Sequence, residues 1–271
     1  MYVLVAIGAG GLCTSAARLD GASRRGYRGG VKVGLFITCL TDTFAPRVGE
    51  AVVRVLRHFG CRVEFPAGQT CCGQPAYNSG FHAEAAAVGR RMLDVFEPYE
   101  QVVTPSASCA AMVKLHLPHL LHDDPRAAAL ARKTHEFMLF LRDVLRVDLR
   151  EHLRIDEPFS YHYPCHARGL FSAAELEAAL SAGGAGLRPP ERADLCCGFG
   201  GMFGVEFAQV SEAMARDKLE QLMGSGANLV ICNEGGCGMQ ISGAAHRRGL
   251  ALRFKHLAEC LAESLGLMEP A

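Results

Sequence analysis

Four cysteine positions occur twice in this chain, in the same order. The first half holds Cys39, the pair Cys71-Cys72 followed by Gly73, and Cys109. The second holds Cys165, the pair Cys196-Cys197 followed by Gly198, and Cys237. Cys165 follows Cys39 by 126 residues, Cys196 follows Cys71 by 125, and Cys237 follows Cys109 by 128. So constant a displacement marks an internal repeat. Thiolates are soft donors suited to iron–sulfur clusters, zinc and copper(I). Four-cysteine zinc sites are usually built from two knuckles of closely spaced cysteines, and neither half has two. Neighbouring sulfurs such as those of Cys71 and Cys72 point apart and would strain to reach one tetrahedral ion, whereas a multi-iron cluster offers each its own metal atom. Gly73 and Gly198, lacking Cβ, let the turn tighten and the backbone approach a cofactor. Four thiolates per half match the ligand requirement of a [4Fe–4S] centre, so two such centres are expected. Two other readings stand beside this one: a zinc-stabilised scaffold or sensor, and a vicinal disulfide at each pair. The disulfide leaves the remaining four repeated cysteines without a role.

The elements that must position these cysteines also repeat. Lys32–Thr38 is a β-branched and aromatic run that delivers Cys39, and Phe159–Tyr163 does the same for Cys165. Gln101–Thr104 feeds the loop with Cys109, as Asn228–Ile231 feeds the loop with Cys237. Helical periodicity is expected over Thr43–Phe59, His82–Phe96, Phe207–Met223 and His256–Leu265, with a short strand at Cys61–Phe65. Pro125–Arg146 reads as one long helix joining the halves. Strands alternating with helices predict an α/β fold of two similar halves with mostly parallel sheets. Ligands collect at the carboxyl ends of such strands, where Cys39, Cys109, Cys165 and Cys237 fall. The expected division is an extension over 1–30, a first repeat with its connecting helix over 31–150, and a second repeat over 151–271.

Composition narrows the function classes. Twelve cysteines in a chain of 271 residues would suggest a disulfide frame in a short secreted protein, but 49% hydrophobic residues supply a core without one. Clustered cysteines in such a chain read as metal or redox groups in the cytoplasm. Zero formal net charge, with Lys and Arg scattered, disfavours nucleic acid as a partner. No apolar run approaches the roughly eighteen residues of a membrane span. Tyr2–Ile7 is short and lacks a preceding basic region, which disfavours a signal peptide. Gly8-Ala9-Gly10-Gly11 has Cys13 where a dinucleotide fingerprint needs its third glycine, and Arg28 where it needs an acid, so that reading is disfavoured too.

Cys13, Cys61 and Cys260 have no repeat partner and read as packed thiols. His162 and His166 flank Cys165; they either hydrogen-bond cluster sulfurs or are ordinary polar residues at a strand end.

Phe36-Ile37-Thr38-Cys39, Thr70-Cys71-Cys72-Gly73-Gln74-Pro75 and Thr104-Pro105-Ser106-Ala107-Ser108-Cys109 resemble the cysteine-rich, CCG-domain family of iron–sulfur proteins. So do His162-Tyr163-Pro164-Cys165-His166, Cys196-Cys197-Gly198-Phe199-Gly200-Gly201 and Gly236-Cys237-Gly238-Met239. The family includes a component of heterodisulfide reductase and the iron–sulfur components of glycolate oxidase and anaerobic glycerol-3-phosphate dehydrogenase. The resemblance runs from about Lys32 to the C-terminus. It implies a cytoplasmic electron-transfer subunit of an oxidoreductase, in a three-protein system that oxidises L-lactate to pyruvate and includes a ferredoxin-like iron–sulfur protein. Glycolate, glycerol-3-phosphate and heterodisulfide chemistry are its alternatives. The fullest family pattern ends each half in Cys-x-x-Cys, whereas Ser106 and Glu234 take the first of those positions here. The missing fifth thiolates favour electron relay over direct disulfide reduction. Cys232 stands two positions from the expected place and reads as a core cysteine at a strand end.

Overall fold

The computed structural model describes residues 30–181 and 186–270, so the extension read into 1–30, Cys13 included, lies outside the described residues except for Gly30. Four strands, β1 (Lys32–Leu35), β2 (Arg62–Glu64), β3 (Gln101–Thr104) and β4 (Thr134–Glu136), form a parallel sheet in the order β2-β1-β3-β4. Strands β5 (Phe159–Tyr161), β6 (Leu229–Cys232) and β7 (Arg253–His256) form a second parallel sheet in the order β5-β6-β7. A single parallel bridge from Phe159 to Leu187 extends it on the β5 side. Leu187, β5, β6 and β7 thus occupy the places of β2, β1, β3 and β4. The expected α/β architecture with parallel sheets is what the chain adopts.

Parallel neighbours require crossovers, and helices supply them. Helix Pro46–His58 buries Val48, Val52, Val55 and Leu56, the face its periodicity predicts. Pro46 opens it where a missing N–H costs nothing, and separates it from the short helix Cys39–Phe44. Helix His82–Phe96 buries Ala85, Gly89, Met92, Leu93 and Phe96. Its counterpart Ala208–Gly224 buries Ser211, Ala215, Lys218, Leu219 and Leu222, position for position.

The long helix expected over Pro125–Arg146 does not form. The chain instead runs through helix Pro125–Lys133, strand β4, and the helical turns Phe137–Leu139 and Phe140–Val144. Thr134, His135 and Glu136 pair with Val102, Val103 and Thr104, and this sheet pairing outweighs the weak helical preference of three residues. Strand β7 likewise precedes helix Leu257–Ser264, and His256 caps that helix from its N-terminal side.

The halves are packed together. Helix Leu257–Ser264 of the second lies on helix Pro46–His58 of the first. One apolar core runs through Val33, Leu35 and Val103 to Phe159, Leu229 and Ile231. Among the described residues no helix is long and apolar enough to cross a membrane.

Candidate metal centre

Cys39, Cys109, Cys165 and Cys237 follow strand ends while the two Cys-Cys pairs lie in loops, and each is brought to the site by a local device. Thr38 precedes Cys39 with φ 68° and ψ 148°, a conformation that a residue with a side chain rarely adopts. Its hydroxyl accepts from the Thr41 backbone N–H at 3.4 Å and donates to Thr41 Oγ1 at 3.0 Å. Pro164, before Cys165, has an ordinary φ of −67°. Each Cys-Cys pair turns through a left-handed glycine, Gly73 at φ 84° and Gly198 at φ 83°. A Cβ on Gly198 would lie 2.6 Å from the Ser211 carbonyl oxygen; one on Gly73 would lie 3.4 Å from that of Ala85. Cys109 and Cys237 ride on the first turns of helices Ala107–Ala111 and Gly235–Arg247, directly after β3 and β6.

All eight cysteines line one cavity of about 190 Å³ between the halves. Within each half the sulfurs form a chain. Cys39 Sγ lies 3.7 Å from Cys71 Sγ, and Cys165 Sγ 3.7 Å from Cys196 Sγ. Cys197 and Cys237 approach to 3.2 Å, and Cys72 and Cys109 are buried together in one apolar cluster. Hydrogen bonds from Cys39, then from Cys72, hold the Cys71 thiol down to about 3; those from Cys165, then Cys197, hold Cys196 down to about 2. Cys39 and Cys165, the donors, are pushed far up. Backbone N–H groups of Gly198 and Phe199 also point at Cys196 and Cys197 Sγ, at 3.4 and 3.5 Å.

The two positions without a fifth thiolate face each other. Ser106 Oγ donates to Glu234 Oε2 at 2.8 Å, and the Ser108 N–H donates to the same oxygen at 2.8 Å. Both residues line the cavity, and each caps the helix that carries its half's last cysteine. Behind them two anchors cross between the halves. Asn233 Nδ2 donates to Glu136 Oε1 at 3.1 Å, and His256 Nε2 donates to the Pro105 carbonyl at 2.8 Å.

His166 lines the cavity, while His162 is wholly buried behind it. Neither ring nitrogen of His162 has a hydrogen-bond partner, yet the ring lies within 4.8 Å of the sulfurs of Cys197 and Cys237. Burial pushes this imidazole down to about 3, so it is neutral. Cys232 is buried with Sγ 3.8 Å from the Glu234 carbonyl oxygen and does not line the cavity; Cys61 and Cys260 are buried in the shared core. Sequence reasoning passed over Lys218, which is wholly buried with Nζ 3.3 Å from the Ala193 carbonyl and in electrostatic reach of Cys197 and Cys237. Laying the two repeats over one another sets Lys218 against Met92, a signal present in the chain itself.

The residues fit an iron–sulfur group. Eight thiols converge, every cysteine in the described residues is free, and the Cys39–Cys71, Cys165–Cys196 and Cys197–Cys237 sulfurs stand well beyond S–S bonding distance. Backbone N–H groups already point at sulfur, the kind of contact that tunes a cluster's potential.

The profile of the CCG cysteine-rich domain matches residues 33–114 and again 159–242. The chain belongs to that family. Each match spans one quartet, so the family's unit is present twice. The chain is 41% identical over 237 residues to lactate utilization protein A of Halalkalibacterium halodurans, covering 85% of this chain and 96% of that protein. It is 42% identical over 237 residues to lactate utilization protein A of Geobacillus kaustophilus, covering 85% and 98%. Glutamate racemase from Francisella tularensis is a distant structural neighbour, with a TM-score of 0.37 at 13% identity over 88% of this chain and 80% of the racemase. That likeness is too slight to bear on fold or function.

Proposed function

We propose that this CCG-family chain is the iron–sulfur electron-transfer subunit of an L-lactate-oxidising system. Cys39, Cys71, Cys72 and Cys109 would hold one [4Fe–4S]-type centre, and Cys165, Cys196, Cys197 and Cys237 the other. The observation that carries the proposal is the convergence of both quartets on one cavity, which would put two centres side by side. Lactate enters through the relatives, which bear the name lactate utilization protein A. When bound, such centres supply one-electron redox chemistry. The chain's own part is to hold and shield. Cys71 and Cys196 offer the first thiolates, since their neighbours' S–H groups already favour the ionised form. Cys72, Cys197 and Cys237 are buried and keep water from the inner side, while Cys39 is exposed and marks the way out. Exposed Phe44, Phe81, Met202, Val205 and Phe207 lie on the segments leaving Cys39, Cys72 and Cys197. They give partner proteins, including a ferredoxin-like one, an apolar surface in the cytoplasm. Lactate oxidation itself belongs to a partner in this scheme.

A zinc reading draws on one observation, the His162, Cys197 and Cys237 set with donor atoms within 4.8 Å. Metal and acid-labile sulfide analysis of anaerobically purified protein separates the two. Iron and sulfide in comparable amounts are expected; zinc alone would sink the cluster proposal. Loss of growth on lactate after gene deletion, restored by the intact gene, tests the physiological role.

A further inference from the structure

The two quartets are matched in backbone but not in what stands behind them. His162 leaves β5 as Phe36 leaves β1: the His162 N–H donates to Ile231 and the Phe36 N–H to Val103, each at 2.9 Å. Lys218 takes the place of Met92 on the buried face of the helix after the Cys-Cys-Gly turn. Ser211 and Gln240 stand where the first half has Ala85 and Met112. They form a chain in which Gln240 Nε2 donates to Ser211 Oγ at 3.0 Å and Ser211 Oγ donates to the Gly198 carbonyl at 2.8 Å. Phe36 and Met92, by contrast, are buried in an apolar cluster with Cys72 and Cys109.

We propose that His162 and Lys218 are positioning residues that make the second-half centre the more oxidising of the pair. This rests on the iron–sulfur reading above. Reduction of a cluster adds one negative charge, and N–H groups or a cation nearby in a low-dielectric setting favour that charge. The unpartnered His162 ring lies within 4.8 Å of the Cys197 and Cys237 sulfurs, where a bound cluster would offer one of its nitrogens a sulfur acceptor. Lys218, on the buried face of the helix that packs against Cys197, Cys232 and Cys237, adds its field to these three cysteines. The first half offers only a phenyl ring and a thioether at these places, so its centre takes an electron less readily. An electron arriving at the cavity therefore settles on the second-half side.

The test is an EPR-monitored redox titration of the full chain, reconstituted anaerobically with iron and sulfide and reduced with dithionite. Two separate one-electron waves are expected, and Cys109→Ser should alter the signal of the lower wave only. His162→Phe and Lys218→Met, which transplant the first-half residues, should each move the upper wave down and leave the lower one in place. His162→Gln, which keeps an N–H, should retain most of the separation. Phe36→His should move the lower wave up. That reverse exchange and the wild-type titration still decide the matter should a buried substitution prevent folding. Two centres titrating together in the wild type, or an upper wave indifferent to both transplants, would overturn the proposal. Failure to load iron and sulfide would overturn the cluster reading instead, before any potential is read.

Discussion

The two repeats turn their Cys-Cys pairs through glycines whose φ angles differ by one degree, 84° at Gly73 and 83° at Gly198. They set their last cysteines on helices that begin at equivalent strand ends. Yet a side chain at Gly198 would collide with backbone, while one at Gly73 would only touch it. The cysteine of β5's exit follows a relaxed Pro164, whereas that of β1 follows a strained Thr38. The pocket walls differ in the same uneven way: each quartet backs onto an apolar cluster, but His162, Lys218, Ser211 and Gln240 add polar groups behind the second. The lesson is that backbone geometry sets where the sulfurs go, and the layer behind them is free to differ.

The largest expected effect breaks the comparison at the ligands. Cys72→Ser and Cys197→Ser should each remove about half of the bound iron, since each strips one four-thiolate site. Loss of all iron from either variant would mean that the quartets do not load independently. Next come the turns. Gly198→Ala should cost about 3 kcal/mol, combining left-handed strain with the 2.6 Å approach to Ser211. Gly73→Ala should cost about 1 kcal/mol, strain alone. Urea denaturation of the two variants measures the difference, and equal midpoints would contradict it.

At the contact between the repeats, Glu234→Ala should destabilise by about 2 kcal/mol, because it leaves Ser106 Oγ and the Ser108 and Gly236 N–H groups without their acceptor. Ser106→Ala removes one donor to Glu234 and the acceptor of the Cys109 N–H, and should cost about 1 kcal/mol. Thermal unfolding that ranks the two in the opposite order would refute this arrangement.

The smallest effect is a difference in pH response between the crossed anchors. Burial raises Glu136 from 4.5 to about 7, so the folded chain holds its proton more tightly and that contribution to stability falls as pH rises from about 4.5 to 7. Burial lowers His256 from 6.5 to about 4, so its contribution is full above 6.5 and is lost as pH falls toward 4. Glu136→Gln should flatten the first slope and His256→Asn the second, read from denaturation midpoints across pH 4 to 7.5. Identical profiles for the two variants would show that these anchors do not titrate as placed.

Much of the site was legible because ligand spacing is a local property that repeats along the chain. The strands that deliver Cys39, Cys109, Cys165 and Cys237 announce themselves by β-branched runs, and β3 falls at its expected bounds. Strand β4 was hidden because Thr134, His135 and Glu136 are held by pairing with β3, a long-range fact written into no short window. The meeting of both quartets in one cavity was equally out of reach, since it depends on how two sheets dock through a common core. Ser106 and Glu234 read as missing ligands in the sequence; the contact between them exists only in three dimensions.

That contact also bears on ancestry. Ser106 and Glu234 are equivalent positions in the two repeats, so they meet where a symmetric pair of identical chains would set a residue against its own copy. Two glutamates there would repel, and two serines would leave the Ser108 N–H without its carboxylate. A single covalent chain lets one copy become the acceptor and the other the donor. Divergence of the two repeats is therefore what this seam requires, and no homodimer of either half could build it.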